Sequence, residues 1–164
     1  MDDLFADPAP GQRTALGPQA CVLHGFALAE ADALLAGIAG VAAQAPFRHL
    51  AAEVTSETPQ HSTCDAAARA LQPVFLRLAA DAASEAGFAG YVPDACLVNR
   101  YAPGTRLSLH QDRDEDDRVA PIVSVSLGLP APFLFGGFAR GDKTVRTALV
   151  HGDVVVWGGA DRLR

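Results

Sequence analysis

The sequence predicts one α+β domain in which helices pack on one sheet of a β-sandwich or jelly roll. Three observations predict it. Helical periodicity is confined to the first half, short β-branched and aromatic runs separated by turns fill the chain after residue 94, and 164 residues with 49% hydrophobic side chains suffice for one core.

Residues 1–20 contain Pro8, Pro10, Gly11, Gly17 and Pro18 with little periodicity, which predicts an irregular N-terminal arm leading into a short strand at 21–23. Residues 28–45 are alanine-rich, with Leu34, Leu35, Ile38 and Val41 at three- and four-residue spacings, the pattern of an amphipathic helix. Residues 51–63 are polar and turn-rich. Pro73 suits a first helical turn, where a backbone N–H has no partner to lose, and it opens a second helix ending near Glu85, before Gly87. Beyond it, strands are predicted at 95–101, 106–110, 121–127, 133–135, 145–150 and 154–157, divided by Pro-Gly, Gly-Gly, Arg-Gly-Asp and His-Gly-Asp turns. The expected domain thus spans 21–164, with a helical part at 21–92 and a β core at 93–164.

Composition narrows the function. Thirteen Lys and Arg against 19 Asp and Glu give a net charge of −6, which counts against a nonspecific nucleic-acid coat, because such binding depends on neutralising phosphates. Any contact with nucleic acid has to be local. No apolar stretch approaches the roughly 18 residues of a membrane span, so no membrane partner is expected. The opening Met1-Asp-Asp-Leu-Phe-Ala-Asp7 is acidic where an export signal is basic, and a cytoplasmic location is the expectation. Cys21, Cys64 and Cys96 are far apart and form no CxxC pair, which argues for reduced thiols over a disulfide framework or a thiolate zinc site. His61 and Cys64 are expected at the surface of the 51–72 segment, not as ligands.

The chemistry concentrates in the β half, at His110-Gln-Asp112. In an extended strand alternate side chains share a face with Cα atoms roughly 6 to 7 Å apart, so an imidazole and a carboxylate can grip one metal ion. They are two thirds of the facial triad that holds non-haem Fe(II) and leaves positions open for a co-substrate and O₂. The motif alone is a weak signal, because His151-Gly-Asp153 has the same form. Gly152 interrupts that second pair between two apolar runs, which predicts a hairpin turn. A calcium loop starting at Asp112 is disfavoured, since its sixth position is Asp117 where glycine is needed and its twelfth is Val123 where a bidentate Glu is needed.

Longer motifs surround this pair in a fixed order: Asn99-Arg-Tyr101-Ala-Pro-Gly104, Leu107-Ser-Leu-His110-Gln-Asp112, Pro121-Ile-Val-Ser-Val-Ser-Leu-Gly-Leu-Pro130, Phe135-Gly-Gly and His151-Gly-Asp-Val-Val-Val-Trp-Gly-Gly159. With Asp3-Leu-Phe-Ala-Asp7 and Ala45-Pro-Phe-Arg48, they closely resemble the bacterial AlkB family of Fe(II)- and 2-oxoglutarate-dependent dioxygenases over most of the chain except 51–72. The resemblance implies a double-stranded β-helix and oxidative dealkylation of nucleobases such as 1-methyladenine and 3-methylcytosine in DNA, with RNA left open. Fe(II) is the implied cofactor and 2-oxoglutarate the co-substrate. The resemblance makes His110 and Asp112 iron ligands, and it places Asn99 and Tyr101 at positions that hydrogen-bond 2-oxoglutarate. On the substrate side it places Asp114 against the damaged base, Arg140 against DNA, and Trp157 as an aromatic packed near the iron.

Two departures accompany the resemblance. In the family the strand after Trp-Gly-Gly leads to a second histidine ligand and then to two arginines, one of which pairs with the co-substrate. The expectation is therefore an incomplete domain whose final strands are missing after Arg164, with weak metal and co-substrate binding and open strand edges. His151 is no replacement ligand, because the family has a histidine at that turn as well. Residues 51–72 form a shortened lid without the family's Trp and Tyr, which weakens stacking on a flipped base. Three classes stay open: a nucleobase dealkylase, a catalytically incompetent relative, and an iron oxygenase with a substrate other than nucleic acid.

Overall fold

The computed structural model describes residues 8–45, 47–49, 62–66, 71–112, 119–139 and 141–164. In chain order these form β1 (Arg13–Gly17), β2 (Ala20–Leu23), α1 (Ala31–Gln44), β3 (Arg48–His49), β4 (Ser62–Ala66), α2 (Pro73–Glu85), β5 (Cys96–Arg100), β6 (Ile122–Val125), β7 (Ala131–Phe135), β8 (Val145–Leu149) and β9 (Val154–Trp157). Short 3₁₀ turns at Leu28–Glu30 and Gly159–Leu163 precede α1 and follow β9. Among the described residues no helix is long and apolar enough to cross a membrane.

The run Val154-Val155-Val156 has no polar side chain to offer water, and it becomes the middle of an antiparallel sheet ordered β1-β2-β9-β6. All three valines are fully buried, because each face of β9 is covered. On one face Cys21, Leu23, Val154 and Val156 meet Leu34 of α1 and Leu78 and Ala82 of α2. On the other, Ala20, Val22 and Val155 meet Leu16, Phe135 and Leu149, the last two carried by the β7–β8 hairpin. The layers are thus helices, sheet and hairpin, the α+β arrangement the sequence predicts. A further sheet, β3-β4-β5, buries Val98 against Val41 of α1. Burial pushes the Cys21 thiol above its ordinary value, so it behaves as a small apolar packing group.

Both helices form where periodicity places them. Pro73 occupies the first turn of α2, whose end at Glu85 coincides with the predicted one. The two helices approach closely because Gly37 has no side chain, and a Cβ there would stand 3.0 Å from the Phe75 ring. An ion pair between Arg77 and Glu30 (2.8 Å) spans the same junction from the solvent side.

Three strands escape the sequence reading. The arm through residue 20 contains β1, which pairs with β2 across the turn at Pro18 and Gln19, its register shifting at a bulge between Ala15 and Gly17. The segments β3 and β4 carry no apolar alternation and become strands by pairing with each other and with β5. Conversely, the strand expected at 106–110 does not form. Its alternating pattern is present, but residues 105–112 have no ladder partner among the described residues. Residues 50–61, most of the expected lid, lie outside the described residues, as does His61.

One polar cluster locks the sheet. The Asp153 carboxylate, 1% exposed, accepts hydrogen bonds from the Gly25 N–H (2.8 Å) and the Val150 N–H (3.0 Å) and faces His24 Nδ1 at 3.4 Å. His24 Nε2 in turn lies 2.9 Å from the Thr14 hydroxyl of β1. A single side chain thereby ties the β8–β9 turn to the end of β2. Unpaired buried N–H groups cost about 1 to 3 kcal/mol each, so Asp153→Ala is expected to lower unfolding free energy by about 2 to 4 kcal/mol in urea titrations. A loss below about 0.5 kcal/mol would show that the carboxylate is dispensable.

Candidate functional site

The candidate site grows out of the stretch at 105–112, which has no sheet pairing among the described residues. The chain leaves β5 and turns at Ala102-Pro-Gly104, where Gly104 adopts φ +86° and Thr105 donates from both N–H and hydroxyl to the Ala102 carbonyl (3.0 and 2.7 Å). Six residues later the His110 ring folds back on its own segment. Its Nδ1 lies 2.9 Å from the Ser108 carbonyl, and because a carbonyl only accepts, that nitrogen carries the hydrogen. The lone pair of the neutral ring is then on Nε2, which faces Asp112 Oδ1 at 3.6 Å.

Two acceptors in this arrangement repel unless positive charge lies between them, either a proton on Nε2 or a metal cation. Imidazole nitrogen with carboxylate oxygen is a donor set suited to a divalent ion such as Fe(II). The two side chains are 53% and 30% exposed, so the pair is reachable from solvent. Among the described residues no group of three His, Cys, Asp or Glu side chains forms a metal cluster.

The residue between them points elsewhere. Gln111 Nε2 donates to the Phe138 carbonyl (3.1 Å) and to the Leu163 carbonyl. Leu163 closes the 3₁₀ turn after β9, which is itself held by two buried charges. Asp161, 2% exposed, accepts from the Gln19 N–H (2.6 Å) and pairs with Arg164 Nε (2.7 Å). Arg162 donates to the Ala120 carbonyl (3.1 Å), and the Arg164 guanidinium lies 4.5 Å from the centre of the Phe138 ring. The sequence reading treats Gln111 as a spacer; the only signal it offers is a long amide at a position flanked by metal-ligand residue types.

The remaining predicted residues fall in several places. Asn99 and Tyr101 are both exposed, Asn99 beside the buried Val98 in β5 and Tyr101 one residue past the end of that strand. Partial burial raises the Tyr101 phenol above its ordinary value of 10.0. Trp157 pairs with Ala20 and Ile122 and packs its ring against Phe133, with centroids 6.1 Å apart and planes tilted by 46°. Its visible work is to fill the layer between sheet and hairpin. Asp114 and Arg140 lie outside the described residues. His151 is a turn residue, as expected: its Nδ1 accepts from the Gly128 N–H (3.0 Å), beside Gly152 at φ +89°.

The profile of the 2OG-Fe(II) oxygenase superfamily matches residues 20–164. The chain belongs to this superfamily. It is a dioxygenase, and membership implies Fe(II) and 2-oxoglutarate. The oxygenase is 48% identical to the alpha-ketoglutarate-dependent dioxygenase AlkB of Salmonella typhimurium over 185 aligned residues, covering 99% of this chain and 85% of the relative. The AlkB of Escherichia coli is 45% identical over the same shares of both chains. The solved structure of OsALKBH1 superposes with a TM-score of 0.72 at 25% identity, covering 92% of this chain and 84% of that one. These matches establish the jelly-roll class of the α+β fold and bear out the resemblance carried by the motifs around His110.

Tyr101 offers a direct check on the open face after β5. Its phenol is expected to ionise above 10.0 in an ultraviolet difference titration of the oxygenase against Tyr101→Phe. Because the unfolded chain releases that proton more readily, its contribution to stability is intact at lower pH and is lost as pH rises through the alkaline range. A midpoint at or below the ordinary value would mean that the phenol is fully hydrated.

Proposed function

We propose that this oxygenase removes alkyl groups from damaged nucleobases in DNA, with 1-methyladenine and 3-methylcytosine as its lesions. The observation that carries the reading is the pairing of His110 Nε2 with Asp112 Oδ1 across 3.6 Å, in a chain otherwise so similar to AlkB. His110 and Asp112 hold Fe(II), the imidazole kept in the right tautomer by the Ser108 carbonyl. When bound, the iron lets O₂ oxidise the alkyl carbon, so that the group leaves as formaldehyde while 2-oxoglutarate is converted to succinate and CO₂.

The other residues bind and orient. Asn99 and Tyr101 donate from an amide and a phenol to a carboxylate of 2-oxoglutarate. A phenol is protonated, and therefore a donor, at neutral pH, and burial raises this one further from ionisation. The target base leaves the stack and enters the site from single-stranded DNA or from a duplex with the base flipped out. Alkylation at these ring nitrogens leaves the base positively charged, and the Asp114 carboxylate favours that charged base over an undamaged one. Arg140 contacts the DNA backbone, which supplies affinity without sequence preference. Trp157, its ring fixed by Phe133, forms an aromatic wall beside the metal.

The test is release of succinate and formaldehyde from a methylated oligonucleotide supplied with Fe(II), 2-oxoglutarate and O₂. Equal amounts of the two products are expected, dependent on the methyl group. His110→Ala and Asp112→Ala should each reduce turnover by more than about 100-fold, beyond the cost of losing an outer partner of a metal ligand. Asp114→Ala should change the ratio of lesions repaired more than the rate of succinate release. Full turnover by Asp112→Ala would overturn the ligand assignment, and succinate formed without methylated oligonucleotide would redirect the substrate to another class.

A further inference from the structure

Residues 105–112 carry both acceptors of the site but no sheet pairing among the described residues. Two of their hydrogen bonds are local, from Thr105 to Ala102 and from His110 to Ser108. The bonds from Gln111 are of another kind. They reach carbonyls 27 and 52 residues away in sequence, at Phe138 in the turn after β7 and at Leu163 in the turn after β9. A carboxamide has two hydrogens, one for each carbonyl. Both anchors are well founded: the Leu163 turn is locked by the buried Asp161 and Arg162, and Phe138 lies under the Arg164 guanidinium.

We infer that Gln111 is a positioning residue, whose carboxamide sets where the His110 imidazole and the Asp112 carboxylate stand and thereby tunes metal affinity. The inference rests on the reading of those two side chains as ligands. In an oxygenase whose ligands stand on a paired strand, the ladder would do this work. In this chain a side chain does it, by fastening the ligand segment to two turns of the β scaffold. Gln111→Leu removes both donors at similar volume. Gln111→Glu keeps the length but sets carboxylate oxygens against two carbonyl oxygens, which repel them.

Co(II) is a suitable probe, because its visible absorption reports coordination geometry without turnover. Co(II) affinity and spectrum would be measured for the parent, Gln111→Leu, Gln111→Glu and His110→Ala, alongside thermal unfolding of each without metal. Both Gln111 variants are expected to bind Co(II) about 10- to 100-fold more weakly, with an altered spectrum. Their metal-free unfolding midpoints should stay within about 4 °C of the parent. Parent-like binding and spectrum in both Gln111 variants, with binding lost in His110→Ala, would overturn the positioning role and leave the ligands standing. Parent-like binding by His110→Ala would remove the ligand reading and this inference with it. Loss of cooperative unfolding in both Gln111 variants would also overturn it, since the amide would then be holding the fold.

Discussion

Everything else in the structure is arranged around a strand that must be dry on both sides. β9 is hydrogen-bonded along one edge to β2 and along the other to β6, so its backbone is satisfied by the sheet and its valines demand cover from both layers. The helices supply one cover and the β7–β8 hairpin the other. The ends of that strand inherit its rigidity. Before it, Asp153 collects the Gly25 and Val150 amides; after it, the 3₁₀ turn presents the Leu163 carbonyl to Gln111. The candidate metal ligands are thus linked through one amide to the turn that follows the buried valines of β9.

This division of labour has a physical reason. A candidate ligand pair has to be reachable from solvent, and at 53% and 30% exposure His110 and Asp112 are. Exposed groups on an unpaired stretch would wander without directional bonds. The Ser108 carbonyl orients the ring, and the amide of Gln111 holds the stretch. Turns and side chains do locally what a ladder does elsewhere, next to a buried scaffold.

What could be read from the chain itself was whatever depends on neighbours in sequence. Helix α2 carries its start in Pro73 and its amphipathic face in Phe75 and Leu78, and it forms between the predicted bounds. The valines of β9 read as a buried strand, and Gly152 marked His151-Gly-Asp153 as a turn although it copies the ligand motif. What escaped depends on partners far along the chain. Leu107 and Leu109 alternate with polar residues as a strand should, yet no neighbouring strand pairs with them among the described residues. Ser62-Thr-Cys-Asp-Ala66 has no strand pattern and becomes one because β5 lies beside it. The same holds for the site: the pairing of His110 with Asp112 is a local matter of spacing, whereas the anchorage of Gln111 and the buried meeting of His24 with Asp153 require chain segments more than 25 and more than 125 residues apart.

The bare position at Gly37 reaches further than the helix it belongs to. The Phe75 ring that it admits is packed against two separate apolar clusters, the one beneath the four-stranded sheet and the one beneath β5. One aromatic ring therefore keys together the four-stranded sheet and the strand that carries Asn99. A methyl group at position 37 would wedge that key outward, and the disturbance would travel as a misalignment between the two halves of the oxygenase rather than as a hole in either.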